Sequence, residues 1–268
     1  MAYWSDVFGM FRISMRVLRS HPRLMVFPVL SGIMALLVAA AFLTPAFFSG
    51  SGRTGSILLG LGCVLGVTMV ATFFKAALIS QADVALRGGD ARIGSGLAAA
   101  GRRWPHLLAW SLCAVTVSLV LRAIESQLDF LGRFLGVLAE IGWNLIAYLV
   151  LPILTLEDIR LRDAPKRSAE LFRRTWGENI AGQVGLGVLG LLGSAVGVAA
   201  VLGLGSLLGG RVTLYVCAGL CVVWVLFLSV LVSALGGVYQ TALYRFAADG
   251  TVPGAFADAD LEGAFTTA

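Results

Sequence analysis

Glu140, Asn144 and Tyr148 recur at i, i+4 and i+8 inside one apolar stretch, so a helix would carry all three on a single face. An ionisable group placed in lipid costs at least ~3 kcal/mol, which makes Glu140 the first residue to ask about function. Thr155 extends the stripe past Pro152, whose ring removes a backbone donor and frees a carbonyl. Such a face would serve as a polar track for a cation, a proton or a polar headgroup. The competing reading puts Glu140 at a membrane interface and makes the stripe a helix–helix seam. Lys75 lies near the end of its own apolar run, where its long side chain can snorkel to the interface.

Other groupings carry less. Arg122, Glu125, Asp129 and Arg133 follow helical steps and form an ion-pair ladder or a solvated linker. Glu157 and Asp158 stand where an apolar run gives way to arginines and are expected to pair with them. Cys217 and Cys221, one turn apart, would suit a soft metal or simply fill apolar space. All of the 4 cysteines fall in apolar runs, which argues against a secreted disulfide framework. The 2 histidines, His21 and His106, sit beside prolines rather than beside a nucleophile. HExxH and GxxxxGK[ST] are missing, and Gly205-Ser206 has no base to activate it. No catalytic residue, metal or cofactor is expected.

The elements that position these residues follow from composition. The chain has 268 residues, of which 58% are hydrophobic and 13% charged, against roughly 25% charged in soluble domains. Mean hydropathy is +0.89. Too few charged side chains remain to clothe a water-soluble globule. A soluble enzyme, a nucleic-acid-binding module and a disordered chain are thereby excluded. The expected class is an all-α polytopic membrane protein. A span needs about 20 residues, and six stretches qualify: Leu24–Phe48, Ile57–Ile79, Leu107–Leu121, Leu135–Leu156, Ile180–Leu208 and Val212–Tyr244. Gly209-Gly210-Arg211 turns the chain between the last two.

The net charge of +5 could suggest nucleic acid, but its placement suggests a membrane. Arginines and lysines crowd the segment before the first run, alternate loops after it, and the last run's end. The remaining loops hold only Arg53, Arg122, Arg133 and Arg211. The positive-inside rule then predicts both termini in the cytoplasm of a multi-pass protein of the inner cell membrane. A cleaved signal peptide is not expected, because the leading polar segment and the first apolar run are both too long.

Three basic segments read as amphipathic helices lying in the headgroup plane, apolar face to lipid. In the first, Phe8, Phe11, Met15 and Leu18 oppose Arg12, Arg16, Arg19 and Arg23. In the second, Ile93, Leu97, Ala100 and Trp104 form a stripe. The third sets Leu171, Phe172, Thr175 and Trp176 against Lys166, Arg167, Glu170 and Arg173, with Glu170 one turn from both Lys166 and Arg174. Anionic headgroups are the expected partners of Arg12, Arg16, Arg19, Arg102, Arg103, Lys166, Arg167, Arg173 and Arg174. Ser20-His21-Pro22-Arg23-Leu24 is echoed by Arg103-Trp104-Pro105-His106-Leu107, with Thr175-Trp176-Gly177 in the same place of the third segment. This predicts one transmembrane domain over 1–246 made of three hairpin units, about 3–86, 90–158 and 163–246, each opened by its basic helix. A six-helix bundle without internal symmetry is the alternative. Residues 247–268 read as an acidic flexible tail. Gly62-xxx-Gly66, Gly132-xxx-Gly136 and Gly193-xxx-Gly197 predict close helix contacts, more simply within the chain than between copies.

Tyr148 to Glu157 (YLVLPILTLE), Lys166 to Phe172 (KRSAELF), Thr175 to Asn179 (TWGEN) and the closing Ala242 to Pro253 (ALYRFAADGTVP) together resemble a family of uncharacterised prokaryotic multi-pass membrane proteins, one of the domain-of-unknown-function classes. The resemblance implies a six-helix integral membrane protein and assigns no activity or functional residue. Two functions fit the residues. One is a non-enzymatic module that organises lipid or supports a complex. The other is a transporter or channel for a small solute or lipid, lined by Glu140, Asn144 and Tyr148.

Overall fold

The computed structural model describes residues 14–48, 52–127, 130–157, 159–174, 176–208 and 211–249. Among them every regular element is helical. The described part of α1 is residues 14–20, and a 3₁₀ turn, Pro22–Met25, leads into α2 (Val26–Phe48). Then come α3 (Arg53–Leu86), α4 (Ile93–Arg102), α5 (Trp104–Gln127), α6 (Phe130–Leu156), α7 (Ala164–Arg174), α8 (Trp176–Leu208) and α9 (Arg211–Asp249). Short helices alternate with long apolar ones because a backbone in lipid must satisfy its own hydrogen bonds, which a helix does within the segment.

Among the described residues five helices are long and apolar enough to cross a membrane, over Pro22–Pro45, Arg53–Leu86, Trp104–Ser126, Ala139–Leu156 and Tyr215–Asp249. The expectation of six meets α8, where the apolar stretch described is the shorter Gly187–Gly203. The observed helices also overrun the expected runs. Ile57–Ile79 becomes the 34-residue α3, about 51 Å long at 1.5 Å per residue, against ~30 Å of hydrocarbon. The excess is held by protein contacts. α3 then stops in a Schellman arrangement: Gly88 N–H donates to the Ala85 carbonyl and Gly89 N–H to that of Val84. Gly88 adopts φ +79°, a conformation that favours glycine.

Neighbouring long helices pack in sequence order, α2 on α3, α5 on α6 and α8 on α9. Two of the glycine motifs lie at such seams. A side chain at Gly62 or Gly66 would strike Phe42 or Val38 of α2, and one at Gly193 or Gly197 would meet Leu228 or Trp224 of α9. In the third, Gly136 faces Glu125 of α5, while the Gly132 position lies outside the described side chains.

Burial is strongly one-sided along the bundle. Buried residues gather at the end where α3, α6 and α9 finish and α2 and α5 begin, here the junction end. Leu24, Phe27, Ala76–Ile79, Leu107, Leu235 and Val238 share one apolar cluster there. Leu149, Val150, Ile153, Leu154 and Leu171 form a second. Away from the junction the same helices expose Leu36, Leu37, Leu58, Val196, Val223 and their neighbours, as lipid-facing surfaces do.

The short helices differ from expectation in what covers their apolar faces. Val17 and Leu18 of α1 and Ala100 of α4 are buried in the first cluster, with Ile93 and Leu97 packed against it. Ala164 and Leu171 of α7 belong to the second. The described apolar residues of α1 and α7, and all of the α4 stripe except the exposed Trp104, therefore rest on the ends of the long helices. A one-sided stripe gains from either covering, and here protein surface is within reach of all three.

Candidate functional site

The polar residues at the junction end form a connected set. Asp83, near the end of α3, receives both forks of Arg245 from α9: Nε donates to Oδ1 at 2.6 Å and Nη2 to Oδ2 at 3.0 Å. Bidentate pairing of this kind fixes orientation as well as charge. Arg245 also donates to Asp249 at 3.2 Å, and Arg87 approaches Asp83 at 3.3 Å. Across the same end, the Tyr244 hydroxyl donates to Glu157 Oε1 at 2.7 Å, and Arg167 of α7 reaches that oxygen at 3.5 Å. Adjacent residues of α9 thus hold α3 on one side and the α6–α7 corner on the other.

Two buried glutamines complete the joint. Gln81 Oε1 accepts from the Arg92 backbone N–H at 2.8 Å and the Ser95 hydroxyl at 3.1 Å, which ties the start of α4 to α3. Gln240 of α9 donates to the Tyr148 carbonyl of α6, and the Ser168 hydroxyl of α7 donates to the Ile146 carbonyl. A buried polar group without a partner would cost ~1–3 kcal/mol, so each of these bonds also specifies a register.

The expected polar track is only partly gathered. Glu140 and Tyr148 are half-buried, whereas Asn144 between them is exposed. Tyr148 has Lys75 Nζ at 5.8 Å from its ring centroid, within cation–π range. Thr155 bonds back to the Leu151 carbonyl at 2.7 Å and does not prolong the track. Of the basic residues, Arg16, Arg19, Arg102, Lys166 and Arg173 are exposed, and Arg103 and Arg167 are half-buried. Arg12, Asp129, Asp158 and residues 250–268 lie outside the described residues, as do the side chains of Arg133 and Arg174. Of the tail expected from 247, the first three residues instead continue α9, with Ala247 buried and Asp249 paired with Arg245. Cys217 is buried and Cys221 half-buried, and the described residues hold no cluster of metal-ligand type.

Sequence reasoning anticipated the pairing of Glu157 with an arginine but missed Asp83, Gln81 and Gln240. Their signal was their type: carboxylate and amide side chains within otherwise apolar helices. No curated protein and no solved structure matches the chain. A family pattern does match, over residues 54–254. That stretch is most of the chain and includes the polar residues of the junction from Gln81 to Asp249; the chain belongs to the family of unknown function DUF6159.

Proposed function

We propose that this protein is a non-catalytic membrane module that organises anionic lipid or supports a complex at the cytoplasmic face of the inner cell membrane. In this reading the chain crosses six times as three hairpins, α8 supplying the remaining span and both termini lying in the cytoplasm. The observation that carries it is the arrangement of the short helices. Their described apolar residues pack mostly into the junction, which leaves Arg16, Arg19, Arg102, Lys166 and Arg173 exposed around one end. Each cation near an anionic surface contributes about 1 kcal/mol, so such a ring holds headgroups by number rather than by one strong site.

The test is retention of phosphatidylglycerol over phosphatidylcholine by the full chain as salt is raised. Preference should fall across a Debye length of ~10 Å at 0.1 M to ~3 Å at 1 M. Replacing Arg16, Arg19, Lys166 and Arg173 together by Gln should remove most of it at low salt. A preference indifferent to both salt and the quadruple change overturns the reading. Topology is checked separately: cysteines introduced at Gly52 and Ala91 should label from opposite compartments of intact cells.

A second reading is a transporter or channel whose path passes Glu140, Asn144 and Tyr148. It is favoured by Glu140, half-buried within the α6 span and without an ion-pair partner among the described residues. Glu140→Gln should then change solute flux in reconstituted vesicles at unchanged expression; equal flux would retire it.

A further inference from the structure

On the half of the bundle away from the junction, a groove of about 280 Å³ runs between α3 and α5. Val64 and Thr68 line it from α3, and Val115, Ser118, Leu119 and Arg122 from α5. It faces outward, since Val64 and Leu119 on its walls are 48% and 41% exposed. Ser118 and Arg122 are one helical turn apart, and a helical side chain leans toward its helix N-terminus, which brings Arg122 back over Ser118.

Depth identifies the ligand class. Trp104 opens α5 at the junction end and is exposed, as an interfacial anchor is. Arg122 lies about 27 Å further along that helix, close to the ~30 Å thickness of the hydrocarbon. Its guanidinium therefore emerges at the headgroup level of the opposite leaflet, with the apolar trough of Val64, Val115 and Leu119 running inward below it. Among the described residues no carboxylate neutralises it. The nearest on the same helix is Glu125, whose aliphatic stem lies beside Gly136 of α6. The hydroxyls of Ser118 and Thr68 likewise have no partner among the described residues, while Ser111 and Thr116 on the same helix bond back to their own backbone.

We propose that this groove seats one anionic phospholipid of the leaflet opposite the junction. Its phosphate lies on Arg122, its glycerol ester level with the Ser118 hydroxyl, and one acyl chain along Val64, Val115 and Leu119. Size and charge both select this occupant. The volume falls below the roughly 300–1,000 Å³ of pockets that enclose a whole ligand, so the occupant leaves most of its body in the bilayer. A lone cation at the mouth of an apolar trough matches an anionic head above a hydrocarbon tail. The proposal concerns the leaflet and the helices that the basic ring of α1, α4 and α7 does not touch, and it stands or falls independently of that ring.

The test is native mass spectrometry of the full chain released from vesicles of phosphatidylglycerol and diacylglycerol with matched acyl chains, washed at high salt. The wild-type chain should retain one phosphatidylglycerol about tenfold more than diacylglycerol, the scale of a charge-assisted hydrogen bond. Arg122→Gln should abolish that preference and Arg122→Lys should keep part of it. Ser118→Leu, which blocks the trough and leaves the charge, should lower retention by a similar factor and decides the matter if Arg122→Gln fails to fold. Undiminished retention in Ser118→Leu, or in a folded Arg122→Gln, overturns the proposal. Displacement of the lipid by inorganic phosphate overturns it too, because the site would then be one for a free anion.

Discussion

Replacing Asp83 by Asn keeps the side chain's shape, removes its charge and strands Arg245. The two side chains are 12% and 19% exposed, so the pair is largely out of solvent, and removing one member of a buried pair costs about 3–5 kcal/mol. Two features lower that figure. Arg245 keeps Asp249 at 3.2 Å, and the amide oxygen of Asn can still accept one guanidinium bond. Arg87 also loses a partner, but it is a surface side chain whose pair contributes ~0–1 kcal/mol. The expected cost is therefore about 2–3 kcal/mol, read as a loss of unfolding free energy when the full chain in mixed micelles is titrated with SDS and followed by circular dichroism. By heat it should appear as a fall of roughly 5–10 °C in Tm. Asp83→Asn with Arg245→Gln leaves no stranded charge, so the double change should cost at least ~1 kcal/mol less than the sum of the single ones. A single change within ~0.5 kcal/mol of wild type, or strict additivity, would refute the view that this bridge clamps α3 to α9.

Other consequences are separable. Gly96→Ala would push a methyl into Phe27 and Gln81 of the junction and should cost ~1–3 kcal/mol in the same titration. Gly94→Ala, on the open side of α4, should be neutral or stabilising by up to ~1 kcal/mol. Gln81→Leu removes the acceptor shared by Arg92 and Ser95; a loss of ~1–3 kcal/mol is expected, with faster amide exchange at the start of α4. Tyr244→Phe removes the hydroxyl bond to Glu157 while leaving Arg167 on that carboxylate, so its cost should stay near ~1 kcal/mol.

The apolar runs were legible because lipid tolerates few backbone solutions, and a run such as Leu24–Phe48 has only a helix to adopt. Helix ends were less so. Hydropathy stops counting α3 near Ile79, yet Gln81 and Asp83 are buried beyond it because α4 and α9 cover them. The partner of Asp83 stands 162 residues away, and no local pattern announces a contact of that separation. The stripes on α1, α4 and α7 were readable as stripes; whether lipid or protein would cover them was not, since both reward the same periodicity. Spacing along α6 puts Glu140, Asn144 and Tyr148 on one face, but only the neighbours of α6 decide which way that face looks, and they leave Asn144 exposed.

The lopsided burial has a mechanical corollary. Helix hairpins seamed within themselves at glycines but joined to one another mainly at the junction behave like the ribs of a fan, stiff at the rivet and free to spread. When the surrounding bilayer thins or thickens, tilt is the cheapest accommodation, at fractions of a kcal/mol per Å. The unfastened tips would absorb it. The groove between Val64 and Leu119 lies among those tips, so its width would register the thickness of the membrane around it.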